Sequence, residues 1–189
     1  MSNICHLLST LVLFHLLNTL LGPQQNGRLA FVASVLHILS PAGMFLSSPY
    51  AEALFALLNF TGILHYVQST TWNGLNRPPT LREDTLMLSS ALFFTLATWI
   101  RSNGLLSGSI YLYDVAIRVP KLLGCKLHSN DIRRLSVTCI AGVLLAIGSV
   151  IPQYVAYREY CVDIPPSYIR PWCYKTIPSI YTWVQSTYW

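Results

Sequence analysis

An all-α polytopic membrane protein is the fold class this sequence predicts, and three observations carry the prediction. Hydrophobic residues make up 53% of the 189 positions and charged residues only 10%, whereas a soluble domain keeps roughly 25% charged residues to stay wetted. The mean hydropathy of +0.47 has the same sense. The charges are also gathered into blocks: before Asn76 the chain carries only Arg28 and Glu52, leaving uncharged runs long enough for spans of about 20 residues.

Apolar runs separated by breakers divide residues 1–154 into about six segments, at 4–21, 29–46, 50–68, 85–100, 105–117 and 135–154. Gly22-Pro23 ends the first, Ser40-Pro41 and Ser48-Pro49 bracket the next turn, and Arg77-Pro78-Pro79 makes a polar loop that cannot continue a helix. The first run lacks the basic leader and the small-x-small site of a signal peptide, so it reads as a span. The fourth and fifth runs are short for full spans. A re-entrant pair, two tilted helices or one kinked helix would each satisfy them, and two helices meeting at Arg101-Ser102-Asn103-Gly104 is the expectation.

Basic residues then set the orientation. If every segment crosses, one side receives Arg28, Arg77, Arg82, Arg118, Lys121, Lys126, Arg133 and Arg134, eight of the twelve. That side is cytoplasmic by the positive-inside rule. The opposite, lumenal side receives Ser47-Ser48-Pro49, the Arg101–Asn103 apex and residues 155–189, a Pro- and aromatic-rich loop. Its Tyr and Trp rings suit the headgroup level, and its prolines forbid a long helix. Because the basic residues sit between apolar runs, the basic pI does not imply nucleic-acid binding.

Glu52 follows Pro49 at the lumenal start of an apolar run, where a carboxylate either complements a helix N-terminus or serves a site. Arg101 and Asn103 stand at the apex between two apolar runs. There a guanidinium can grip a phosphate and an amide can bind sugar hydroxyls, although a snorkelling arginine and a turn-forming Asn-Gly account for the same residues. Asp114 and Asp131 are expected to pair with nearby Arg or Lys. Cys161 and Cys173 fall in the lumenal loop, where a disulfide and two free thiols both remain open. The sequon Asn59-Phe60-Thr61 lies mid-span, out of reach of glycosylation. The histidines and cysteines show no metal-ligand spacing, so no metal site is predicted, and no nucleotide or nucleophile motif appears.

Three stretches together resemble the PIG-V type of GPI mannosyltransferase. The first runs from Ser40-Pro41 through Ser48-Pro49 and Tyr50-Ala51-Glu52 into a leucine-rich helix. The second is Thr98-Trp99-Ile100-Arg101-Ser102-Asn103-Gly104. The third is Arg170-Pro171-Trp172-Cys173 followed by Pro178-Ser179-Ile180-Tyr181, Val184-Gln185 and Tyr188-Trp189. All three fall on the lumenal face. The resemblance implies a GT-C type transmembrane helical bundle in the endoplasmic-reticulum membrane that moves mannose from dolichyl phosphate mannose, in α-1,6 linkage, onto the GPI anchor precursor. The lipid-linked donor is a substrate, and no cofactor is implied.

By the same resemblance Tyr50, Glu52, Arg101, Asn103, Trp172 and Gln185 are candidate substrate-binding residues, with Arg101 facing the departing phosphate. Relatives carry an early lumenal acidic residue that this chain does not match, which leaves the catalytic base unassigned and Glu52 its candidate. They also carry further helices, so the expectation is an incomplete bundle. A need for an accessory membrane subunit is left open. The rival reading is a non-enzymatic membrane subunit or a transporter segment; mid-span charges or paired repeats would favour it, whereas here the polar residues gather at the lumenal edge.

Overall fold

The computed structural model of the chain describes residues 2–21, 27–39, 51–71, 80–123, 129–162, 165, 170–175 and 178–188. Among the described residues the regular elements are all helical. Helix α1 spans Ser2–Leu21, α2 Gly27–Ile38, α3 Glu52–Thr71 and α4 Leu81–Ile100. A 3₁₀ turn at Ser102–Gly108 leads into α5, Ser109–Leu123, and α6 is the 33-residue helix Ser129–Cys161. A second 3₁₀ turn, Pro171–Tyr174, precedes α7, Ile180–Tyr188. Of the described helices, α1 and α6 are long and apolar enough to cross a membrane.

The packing buries many small and hydroxylated residues beside a few large apolar ones and leaves many large apolar side chains outside. Helix α3 lies between α1 and α4, α4 packs on α6, α2 on α1, and α5 on α6. The main core joins Met87, Ala91 and Phe94 of α4 to Tyr111 of α5 and to Ala141 and Leu145 of α6. Buried Ser34, Thr98 and Thr138 each return a hydroxyl to the carbonyl four residues back, so their polarity is satisfied within the helix. Leu11, Phe31, Leu112 and Val143 meanwhile point outward, each more than half exposed. Small inward residues let helices approach closely in the absence of water. At Gly148 the methyl of Thr95 occupies the space a Cβ would need.

Helix boundaries depart from the expected segments in ways that have local causes. Helix α4 begins at Leu81 rather than at 85, because Thr80 accepts from the Glu83 N–H while the Glu83 carboxylate accepts from the Thr80 N–H, a reciprocal cap that supports a charged first turn. Helix α6 begins at Ser129 rather than at 135. Arg133 and Arg134, read as loop residues, are helical because carboxylates from other helices pair with them. Segment 29–46 overlaps α2, which starts two residues earlier at Gly27, but residues 40–50 lie outside the described residues, as does the Arg77-Pro78-Pro79 loop.

The last long helix also runs past position 154. Helix α6 passes through Pro152 and continues to Cys161, so the first residues assigned to the lumenal loop are helical. Proline in a helix interior removes one N–H and orphans the carbonyl four residues earlier. Here that carbonyl belongs to Gly148, and the Trp99 indole Nε1 donates to it at 2.8 Å. A side chain from α4 thus replaces the bond that Pro152 cannot make. The remainder of the loop is partly helical too, since α7 starts two residues after Pro178.

Candidate functional site at one end of the bundle

Glu52 opens α3 and Arg101 closes α4, and the antiparallel packing of these helices brings the two together across 49 residues of sequence. Arg101 caps α4 in an extended conformation, its N–H donating to the Ala97 carbonyl. Its Nη1 donates to Glu52 Oε1 at 2.6 Å, with the side chains 42% and 32% exposed. At that exposure an ion pair contributes little to stability, about 1 kcal/mol or less. Among the described residues the other carboxylate oxygen, Glu52 Oε2, is buried without a hydrogen-bond partner. A buried unpaired acceptor is costly, and a hydroxyl donor reaching it would satisfy it.

The 3₁₀ turn after Arg101 is held against α4 by Gly104, whose N–H donates to the Arg101 carbonyl. A Cβ at Gly104 would lie 2.6 Å from the Thr98 nitrogen, so the glycine is required by contact rather than by turn geometry alone. This turn presents Asn103 to a cavity of about 550 Å³. Ser149 and Gln153 of α6 border it from a second side, and Ser179, Tyr181 and Thr182 from a third. A disulfide between Cys161 and Cys173, with Cα atoms 5.6 Å apart, ties the 3₁₀ turn at Pro171–Tyr174 to the end of α6. Of the two alternatives open for these cysteines, the structure forms the bond.

The structure therefore joins Glu52 to Arg101 and sets Asn103 on the adjoining cavity. Trp172 is buried, 3% exposed, and does not border that cavity. Gln185 falls within α7 with its side chain outside the described part, and Tyr50 lies outside the described residues. Sequence reasoning missed Ser149, Gln153 and Thr182. The spacing of Ser149 and Gln153, four apart on one helix face beside a proline, was the available signal. Asn59 is occupied internally, its Oδ1 accepting from Ser107 Oγ at 2.6 Å.

A second charged group occupies the opposite end of α4. Asp84 receives Arg133 Nε at 2.8 Å, and Asp114 holds Arg118 at 2.7 Å and Arg134 at 3.6 Å. Arg134 also donates to the carbonyl and hydroxyl of Ser69 at the end of α3. Asp114 thus finds the arginine partners expected of it. Four helices are laced together there, about 25 Å along α4 from Arg101 at 1.5 Å per residue.

Fold and site together define a chain whose described elements are all helical, two of them long and apolar enough to cross a membrane, with a partly exposed charged pair and a cavity at one end of the bundle. Residues 1–189 match the family described as mannosyltransferase (PIG-V), and the chain belongs to that family. It is 37% identical to GPI mannosyltransferase 2 of Aspergillus oryzae, over all of this chain and 43% of the relative. It is 40% identical to GPI mannosyltransferase 2 of Aspergillus fumigatus, over 97% of this chain and 41% of the relative. The similarity extends to GPI alpha-1,6-mannosyltransferase 2 of Rattus norvegicus, at 28% identity over 86% of this chain and 34% of the relative. The chain thus spans about two fifths of the length of the fungal relatives it matches. No solved structure matches it.

Proposed function

We propose that the chain forms part of a GT-C type mannosyltransferase, a multi-pass protein of the endoplasmic-reticulum membrane. It passes mannose from dolichyl phosphate mannose to the GPI glycolipid precursor in α-1,6 linkage, adding the second mannose. The names of the relatives support the activity, and the outward-facing apolar side chains suit a lipid surround. One observation carries the site: Arg101 and Glu52 meet at the end of the bundle, and the second oxygen of Glu52 has no hydrogen-bond partner among the described residues.

The chemistry follows from those two groups. The acceptor hydroxyl hydrogen-bonds to Glu52 Oε2 and loses its proton to a carboxylate as its oxygen attacks the anomeric carbon. The bond from that carbon to the dolichyl phosphate oxygen breaks, with inversion. The departing phosphate carries the negative charge and faces the Arg101 guanidinium, whose planar donors match phosphate oxygens. Glu52 is the candidate base within this chain. The donor is already an activated phosphodiester, so the transfer calls for no cofactor.

The test uses the complete reading frame that encodes this chain, expressed in cells unable to add the second GPI mannose. Arg101→Ala and Glu52→Ala are each expected to lower transfer by a factor on the order of 10²–10³, abolishing rescue while leaving protein abundance unchanged. Full rescue by both variants overturns the site assignment.

A further inference from the structure

The cavity beside Arg101 has a chemistry of its own. Its volume of about 550 Å³ lies within the roughly 300–1,000 Å³ of small-molecule sites. Its polar lining, Thr98, Ser102, Asn103, Ser149, Gln153, Ser179 and Thr182, consists of amides and hydroxyls set among the apolar Leu105, Leu106 and Pro152 and the Tyr181 ring, and none of these lining residues carries a charge. A phosphate seated there would find no cation. A bare hydrocarbon chain would cover these polar groups without satisfying them, which is unfavourable.

The direction of the internal hydrogen bonds narrows the ligand further. Ser149 Oγ donates to the Ala146 carbonyl at 2.8 Å, Thr182 Oγ1 donates to the Ser179 carbonyl at 3.0 Å, and Gln153 Nε2 donates to the Ser149 carbonyl at 3.2 Å. Each of these side chains commits a hydrogen to the backbone and keeps its oxygen lone pairs. These three side chains keep acceptor oxygens while the amides of Gln153 and Asn103 keep N–H donors, so the complementary ligand is one whose groups both donate and accept, as hydroxyls do. A hexose has that character.

We infer that this cavity is the subsite for the terminal mannose of a lipid-linked glycan, with Gln153 and Thr182 as specificity-determining residues. Arg101, one residue before the turn that carries Asn103, and its partner Glu52 then serve charge and proton transfer, while the neutral cavity reads the sugar. The inference rests on the proposed transferase activity for the identity of the sugar. Both donor and acceptor end in mannose, and the experiment separates them.

The complete protein is purified in detergent, and its affinity is measured for dolichyl phosphate mannose against dolichyl phosphate, and for the one-mannose GPI precursor against the same lipid lacking mannose. Wild type is expected to prefer the mannosylated member of one pair by about tenfold or more, as a site built to bond hydroxyls does. Gln153→Leu and Thr182→Val are expected to erase most of that preference while affinity for the mannose-free lipid stays the same. Loss on the donor pair assigns the cavity to the donor sugar, and loss on the acceptor pair assigns it to the acceptor. No preference in wild type, or preferences unchanged in both variants, overturns the subsite. Preference erased by the variants in a protein that transfers no mannose retains the subsite and overturns the transferase reading; transfer with unchanged preferences does the reverse.

Discussion

The two ends of α4 are built from the same residue types and use them oppositely. At Arg101 a single arginine meets a single carboxylate in partly exposed surroundings, and one carboxylate oxygen has no partner among the described residues. At the other end Asp84 and Asp114 hold three arginines drawn from α5 and α6, and Arg134 reaches across to Ser69 of α3. Both ends hold atoms without a hydrogen-bond partner among the described residues, Asp84 Oδ1 and Arg134 Nε as well as Glu52 Oε2. What separates the ends is therefore burial and connectivity: the far end laces four helices through mostly buried groups, whereas Arg101 and Glu52 join two helices at a partly exposed edge within reach of a ligand.

The largest effect should come from opening the closed end. Asp114 and Arg134 are 8% and 6% exposed, and removing one partner of a buried ion pair costs about 3–5 kcal/mol because the other charge is left without compensation. Asp114→Ala is therefore expected to reduce folded protein severely. Thermal unfolding in detergent checks it, and a melting temperature equal to wild type would erase the distinction between the ends.

A second, smaller effect tests the join between α4 and α6 near the open end. Trp99→Phe removes the donor to the Gly148 carbonyl and should cost about 1–3 kcal/mol, the usual range for an orphaned buried acceptor. The sharper measurement is the double variant Trp99→Phe with Pro152→Ala. Alanine at 152 restores the missing backbone N–H, so most of the loss should be recovered. If the double variant is no more stable than Trp99→Phe, the indole is merely packing there.

How much of this was legible in the sequence depends on the range of the interactions. The apolar runs and the candidate residues Glu52, Arg101 and Asn103 are local features and were readable. That Glu52 touches Arg101 was not, since only the antiparallel packing of α3 on α4 brings them together. The start of α4 was readable in Thr80-Leu81-Arg82-Glu83, a capping pattern obscured by weighting charge against membrane burial. The length of α6 was not, because Pro152 is a helix breaker by every local rule and is accommodated by a residue 53 positions earlier, Trp99. Arg133 and Arg134 looked like loop residues for a similar reason: their carboxylate partners lie on α4 and α5.

The smallest expected stability change is the one with the most to say about function. Glu52→Gln keeps the size of the side chain and its place in the first turn of α3, but it weakens the ion pair with Arg101 and the favourable placement of negative charge at a helix N-terminus. Each of those contributions is about 1 kcal/mol or less at such exposure, so folded-state stability should fall only slightly, while Asp114→Asn at the buried end falls by more. If Glu52 serves the reaction, mannose transfer by the Glu52→Gln protein falls by about 10²-fold or more all the same. That separation of a large catalytic loss from a small thermodynamic one is what a partly exposed carboxylate within reach of a ligand predicts. Equal stability losses at positions 52 and 114 would mean that the open end is as structural as the closed one, and that Glu52 is held in place for the helix rather than for a ligand.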